Sequence, residues 1–123
     1  MRPEVTARLK QLESTLTTIE KVMDPEALAA RIRELEAQAG DPSLWDDPAH
    51  AQQVTSELSA AQAKVRKLES LRGRLEDMPV MYELAEEEGD TSLADDELDS
   101  LESAIESLEV TTMLSGEYDP REA

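Results

Sequence analysis

An all-α fold is predicted: an antiparallel helix bundle with coiled-coil-like packing, about five helices around one long central helix. Three observations predict it. Apolar residues recur at steps of three and four along nearly the whole chain and never alternate with a period of two. Prolines, glycines and aspartates cluster at a few places and cut the pattern into segments. The chain has 123 residues with no Cys, no Phe, one Trp and two Tyr, so its core must be Leu, Val, Ile, Met and Ala.

The central element is Asp47 to Met78. Asp47 can cap its start, and Pro48 suits the first helical position, where a missing N–H costs nothing. Ala51, Val54, Leu58, Ala61, Val65, Leu68, Leu71, Leu75 and Met78 form one stripe, and Pro79 is expected to close the helix. A rod of that length cannot bury its stripe alone, so the other segments must line it. Residues 4–23 carry a heptad-like seam of Val5, Leu9, Leu12, Leu16, Ile19 and Met23. Asp24-Pro25 stops that helix and starts another, whose stripe is Leu28, Ile32, Leu35 and Ala39, with Gly40 as a natural end. The turn at Asp24-Pro25 permits either a hairpin or a kinked rod.

Asp41 to Pro48 is read as an irregular connection, because two prolines and three aspartates lie between Asp41 and Asp47 and at its end. Leu44 and Trp45 in its middle are assigned as a structural anchor that plugs the bundle end, with the indole N–H meeting a carbonyl. The competing reading is a Trp exposed for a partner. A short helix from Pro79 to Glu88 follows, with Met81, Leu84 and Ala85 inward and Gly89 at its end. Ser92 can cap the last helix, with Asp95 three residues on. That helix runs to about Met113 through Ala94, Leu98, Leu101, Ile105, Leu108 and Thr112. The domain is thus expected to span residues 1–114. Residues 115–123 read as the start of a linker or strand into a further domain.

The charge is lopsided. Residues 1–78 carry a net of −3 and residues 79–123 a net of −14, which make up the formal −17. Such a surface repels phosphate backbones and favours basic protein partners, or serves solubility alone. From Glu83 to Glu102 there are ten acids and no base: Glu83, Glu86, Glu87, Glu88, Asp90, Asp95, Asp96, Glu97, Asp99 and Glu102. A hairpin of the last two helices would gather them at its tip, as a solvated face or as a partner-docking surface.

No catalytic constellation emerges. A carboxylate-bridged metal site in a bundle needs Glu-x-x-His from two helices, and the chain has one His, in Asp47-x-x-His50. Asp90 to Glu97 lacks the order of a calcium loop. The glycines are isolated, and no serine has a partner base. No apolar run reaches membrane-spanning length, and no signal-peptide core is present. The expectations are a cytoplasmic monomer, no cofactor, no metal, no membrane and no enzymatic activity.

Leu44-Trp45-Asp46-Asp47-Pro48-Ala49-His50-Ala51-Gln52 resembles the aromatic-Asp/Asn-x-Pro-x-x-Ala-Gln signature in the N-terminal domain of the bacterial peptide chain release factor 2 family. Ile19-Glu20, Leu84-Ala85-Glu86-Glu87-Glu88 and Leu114-Ser115-Gly116-Glu117-Tyr118-Asp119 resemble further stretches of that family in the same order. The resemblance implies a parent protein that reads UGA and UAA in the ribosomal A site and triggers peptidyl-tRNA hydrolysis. It also implies that this domain lies toward the ribosomal stalk base and GTPase centre, with nucleic-acid contacts made mainly by other domains. The family's Ser-Pro-Phe and Gly-Gly-Gln tripeptides do not occur here, so no catalytic or codon-reading residue carries over. Two other classes stay open: a free-standing acidic coiled-coil adaptor for a basic partner, and a metal-dependent helical-bundle enzyme. The truncated look of residues 114–123 argues against the first, and the missing ligands against the second.

Overall fold

The computed structural model of the chain describes residues 1–114, and the strand or linker expected over 115–123 lies outside the described residues. The elements are α1 (Pro3–Met23), α2 (Pro25–Ala39), a 3₁₀ turn (Pro42–Asp46), α3 (Pro48–Glu88) and α4 (Ser92–Leu114). They divide into two compact units, one of residues 1–23 with 69 onward, the other of residues 24–68.

The first unit holds α1, the C-terminal part of α3 and α4. Pro3 occupies the first position of α1, and the Arg2 carbonyl accepts from Val5 and Thr6 N–H. Val5, Leu12, Leu16, Ile19 and Met23 are buried as their spacing predicts. In the same unit Leu71, Leu75, Met78 and Tyr82 of α3, and Ala94, Leu98, Leu101 and Ile105 of α4, are buried too. Side-chain pairs fix the directions. Arg72 of α3 reaches Glu13 and Glu20 of α1, while the Met1 amino group reaches Glu86, so α1 and α3 run antiparallel. Arg74 meets Glu97, and Tyr82 meets Asp95, so α4 is antiparallel to α3 as well. It follows that α1 and α4 are parallel, with Arg2 on Asp95 and Arg8 on Asp99.

Pro79 does not close α3. The helix runs 41 residues, roughly 60 Å at about 1.5 Å per residue, and Pro79 lies inside it. A proline inside a helix loses one backbone bond and crowds the preceding turn, at about 3 kcal/mol. The apolar stripe offsets this, because Leu75, Met78 and Tyr82 continue in phase across the proline and all three are buried. Pro79 itself faces outward. The unbroken phase also corrects the expected inward set after it. Tyr82, four residues past Met78, is buried at 1 % exposure, while Leu84, on the opposite side, is 58 % exposed. Met81 and Ala85 are half-buried.

The end of α3 is a left-handed stop. Gly89 has φ +82°, its N–H donates to the Glu86 carbonyl, and Asp90 N–H donates to the Ala85 carbonyl. This is the Schellman pairing, and it favours glycine because a Cβ at that φ is strained. The cap of α4 sits one residue before its expected place. The Thr91 carbonyl accepts from Asp95 N–H, and the Thr91 hydroxyl donates to Asp95 at 3.1 Å.

The second unit is a helical hairpin of α2 and the first part of α3. Asp24 takes a left-handed conformation (φ 54°) and accepts from Ala27 N–H at 3.2 Å, with Pro25 behind it as the first helical residue. Arg31 of α2 bonds Glu57 of α3 at 2.7 Å, and Leu35, Leu44, Ala51 and Val54 form the core, with Ala39 and Leu58 against it. Gly40 ends α2 with φ −85°, so its conformational freedom is not used there. The connection is more regular than expected: Pro42–Asp46 is one 3₁₀ turn. Asp41 caps it by accepting from Ser43 N–H at 3.0 Å and Ser43 O–H at 2.9 Å, and Asp47 N–H closes it on the Leu44 carbonyl.

Candidate functional site

The ten acids of the α3–α4 corner are not one uncompensated surface. The sequence between Glu83 and Glu102 supplies no base, but α1, the N-terminus and an earlier turn of α3 do. Asp95 takes Arg2 at 2.9 Å, and Asp99 takes Arg8 at 2.9 Å, while Glu102 shares the same Arg8 guanidinium. Glu97 takes Arg74 Nε at 2.8 Å, and Glu86 takes the Met1 amino group at 3.1 Å. Half of the set therefore stitches helices together. The stitching residues were missed because they are remote in sequence. Their signal was there: Arg8 lies three residues after Val5 and four before Leu12, on the border of the α1 seam.

Asp95 gathers three side-chain partners. Tyr82 O–H donates to it at 2.6 Å, and Thr91 and Arg2 bond it too. The Tyr82 hydroxyl, first, then Thr91 and Arg2 hold its carboxyl below the usual carboxylate range. Burial, and then the bond to Asp95, push the Tyr82 phenol up to about 12. Asp90 serves the turn: Ser92 O–H and N–H donate to it at 2.6 and 2.9 Å and lower its pKa.

The outward part of the set is Glu83, Glu87, Glu88, Asp90 and Asp96, all exposed. Glu83 and Glu86 border a cleft of about 300 Å³ with Met1, Pro79 and Val80. Val80 and Leu84, one turn apart, are exposed on the same stretch of α3. The corner is thus an apolar strip among glutamates, suited to a basic, partly apolar protein surface and unsuited to phosphate.

Leu44 and Trp45 separate. Leu44 is buried at 7 % exposure and anchors the turn, whereas Trp45 is 59 % exposed. The plug reading fails for Trp45. In a 3₁₀ turn with Leu44 fixed inward, the next side chain is rotated by about 120° and cannot share its pocket. Among the described residues no group of three or more His, Cys, Asp and Glu side chains could hold a metal ion, and no helix is long and apolar enough to cross a membrane.

Known proteins of several actinobacteria are similar to this chain over its whole length. A protein of Corynebacterium aurimucosum named peptide chain release factor 2 is 75 % identical over all of this chain, which covers 34 % of that relative. The same-named protein of Corynebacterium glutamicum is 68 % identical, again over all of the chain and 34 % of the relative. That of Mycobacterium avium is 56 % identical over all of the chain and 35 % of the relative. The chain therefore spans about a third of the length of the curated relatives it matches. Residues 28–123 match the PCRF domain family, a span that takes in the α2–α3 hairpin, the Pro79 helix and the acidic corner, and the chain belongs to that family.

Proposed function

We propose that this chain is the N-terminal helical domain of a bacterial class I release factor that acts on UGA and UAA, and that it positions the factor near the ribosomal stalk base and GTPase centre. The observation that carries this reading is the match of the whole chain, at 75 % identity, to about a third of a protein named peptide chain release factor 2. The absence of Gly-Gly-Gln and Ser-Pro-Phe from the sequence fits a division of labour in which hydrolysis and codon reading belong to other domains of the parent. The acidic corner supports docking on protein, because exposed carboxylates disfavour bare ribosomal RNA. The residues available for that contact are the outward ones, Glu83, Glu87, Glu88, Asp90 and Asp96. Glu86, Asp95, Glu97, Asp99 and Glu102 are engaged in holding helices together.

The test is the full-length factor with Glu83→Lys, Glu87→Lys and Asp96→Lys. Long-range attraction mainly speeds encounter and weakens with salt. The variant should associate with ribosomes more slowly at low salt, with hydrolysis at saturation unchanged. An unchanged association rate in a folded variant would reduce the corner to a solubilising face.

A further inference from the structure

We infer that the tip of the α2–α3 hairpin, where the turn that exposes Trp45 also helps to wall an acid-lined cleft, is a docking surface for a basic protein segment that presents arginine. Trp45 and Tyr82 are the aromatic side chains among the described residues, and Tyr82 is buried, so the exposed aromatic surface is concentrated at this one turn. The turn is rigid. Leu44 anchors it inward, Asp41 caps one end, and Asp47 N–H closes the other on the Leu44 carbonyl at 3.2 Å. An indole held outward on a fixed backbone loses little freedom on binding, and tryptophan is enriched where binding energy concentrates.

Ser43 and Leu44 of the same turn, with Gln38, Asp41, Asp47 and His50, line a cleft of about 210 Å³. Asp41 and Asp47 bring carboxylates to its wall, and each has acceptor capacity beyond its capping bond. Asp46 is exposed between them in sequence.

Charge selects the occupant. Residues 34–63 contain six acids and no Lys or Arg. Arg31 engages Glu34 and Glu57 from one turn away, which leaves Glu36, Asp41, Asp46 and Asp47 toward the tip. A phosphate backbone is repelled here, and a second copy of a chain of net −17 is repelled too. A basic protein segment is attracted. Arginine fits better than lysine, because a planar guanidinium stacks on an indole and forks onto a carboxylate. This surface is separate from the acidic corner of the other unit and does not rest on the stalk-base reading.

The full chain is titrated with tetra-arginine amide and tetra-lysine amide. Emission of the single Trp and backbone amide shifts are followed. Tetra-arginine should change Trp45 emission saturably and shift residues 38–50, about ten-fold more tightly than tetra-lysine. Asp41→Asn with Asp47→Asn keeps the caps, since asparagine caps as well as aspartate. That double variant should weaken binding about ten-fold, and Trp45→Ala should abolish the shifts at 38–50 with far-ultraviolet dichroism unchanged. Equal affinity for the two peptides, shifts confined to residues 83–99, or no saturable change in Trp45 would overturn the proposal. So would quenching of Trp45 by an oligouridylate in place of the peptide.

Discussion

Replacing Leu44 and Trp45 one at a time separates anchor from exposed side chain. Leu44 is 7 % exposed and packs with Leu35, Ala51 and Val54, so Leu44→Ala should cost about 3 kcal/mol, within the roughly 2–5 kcal/mol typical of buried leucines. Trp45 is 59 % exposed, so about two-fifths of it is covered. For an aromatic side chain that is roughly 60–100 Å², or at most ~1.5–2.5 kcal/mol at ~25 cal/mol/Å², and less once a compact unfolded chain is allowed for. No closed cavity is left behind, so Trp45→Ala should cost about 1 kcal/mol. Because the chain forms two units, a global melt would blur the effect, and the assay is amide exchange at Leu35, Ala51 and Val54. A difference of about 2 kcal/mol is roughly a thirty-fold difference in protection. Equal losses in the two variants, or a larger loss for Trp45→Ala, would refute the geometry of the turn.

Trp45 emission in the native chain should lie close to that of indole in water and move little on unfolding; a strongly blue-shifted native spectrum would return Trp45 to the core. Tyr82 gives a pH dependence of definite sign. Its folded pKa is raised from 10.0 to about 12, so its contribution is whole below pH 10 and is lost as pH rises from 10 toward 12, a loss that Tyr82→Phe should remove in alkaline denaturation curves. Asp95, with a lowered folded pKa, contributes above the ordinary Asp range and loses that contribution as pH falls through its folded value, which acid unfolding of Asp95→Asn would check. Moderate salt should raise the melting temperature, since screening a net −17 outweighs weakening of largely exposed ion pairs; a fall would reverse that ranking. The isolated chain should release no peptide from programmed ribosomes in a purified system, and release above background would refute the assignment of hydrolysis to other domains.

The long helix was legible from Asp47-Pro48 and the stripe that follows, as were the Asp24-Pro25 break and the buried faces of α1 and α4. The helix through Pro79 is legible in principle, because Tyr82 continues the stripe, but a proline inside a helix is locally unfavourable. Local propensity counts the lost hydrogen bond and not the two buried turns that offset it. The 3₁₀ turn was hidden by its two flanking prolines, which look like breakers and here start elements.

Sequence by itself determined the class of the fold, the helix seams, the resemblance carried by Leu44 to Gln52, and the sign of the charge. Those are properties of single segments, set by periodicity, capping chemistry and composition. Tertiary structure alone decided which acids face outward, because Arg2, Arg8 and Arg74 reach Asp95, Asp99, Glu102 and Glu97 only once α1, α3 and α4 lie side by side. It alone decided the fate of Trp45 as well. Leu44 and Trp45 are neighbours of equal apolar appeal, and the single inward position of one 3₁₀ turn holds Leu44, which leaves the indole in solvent.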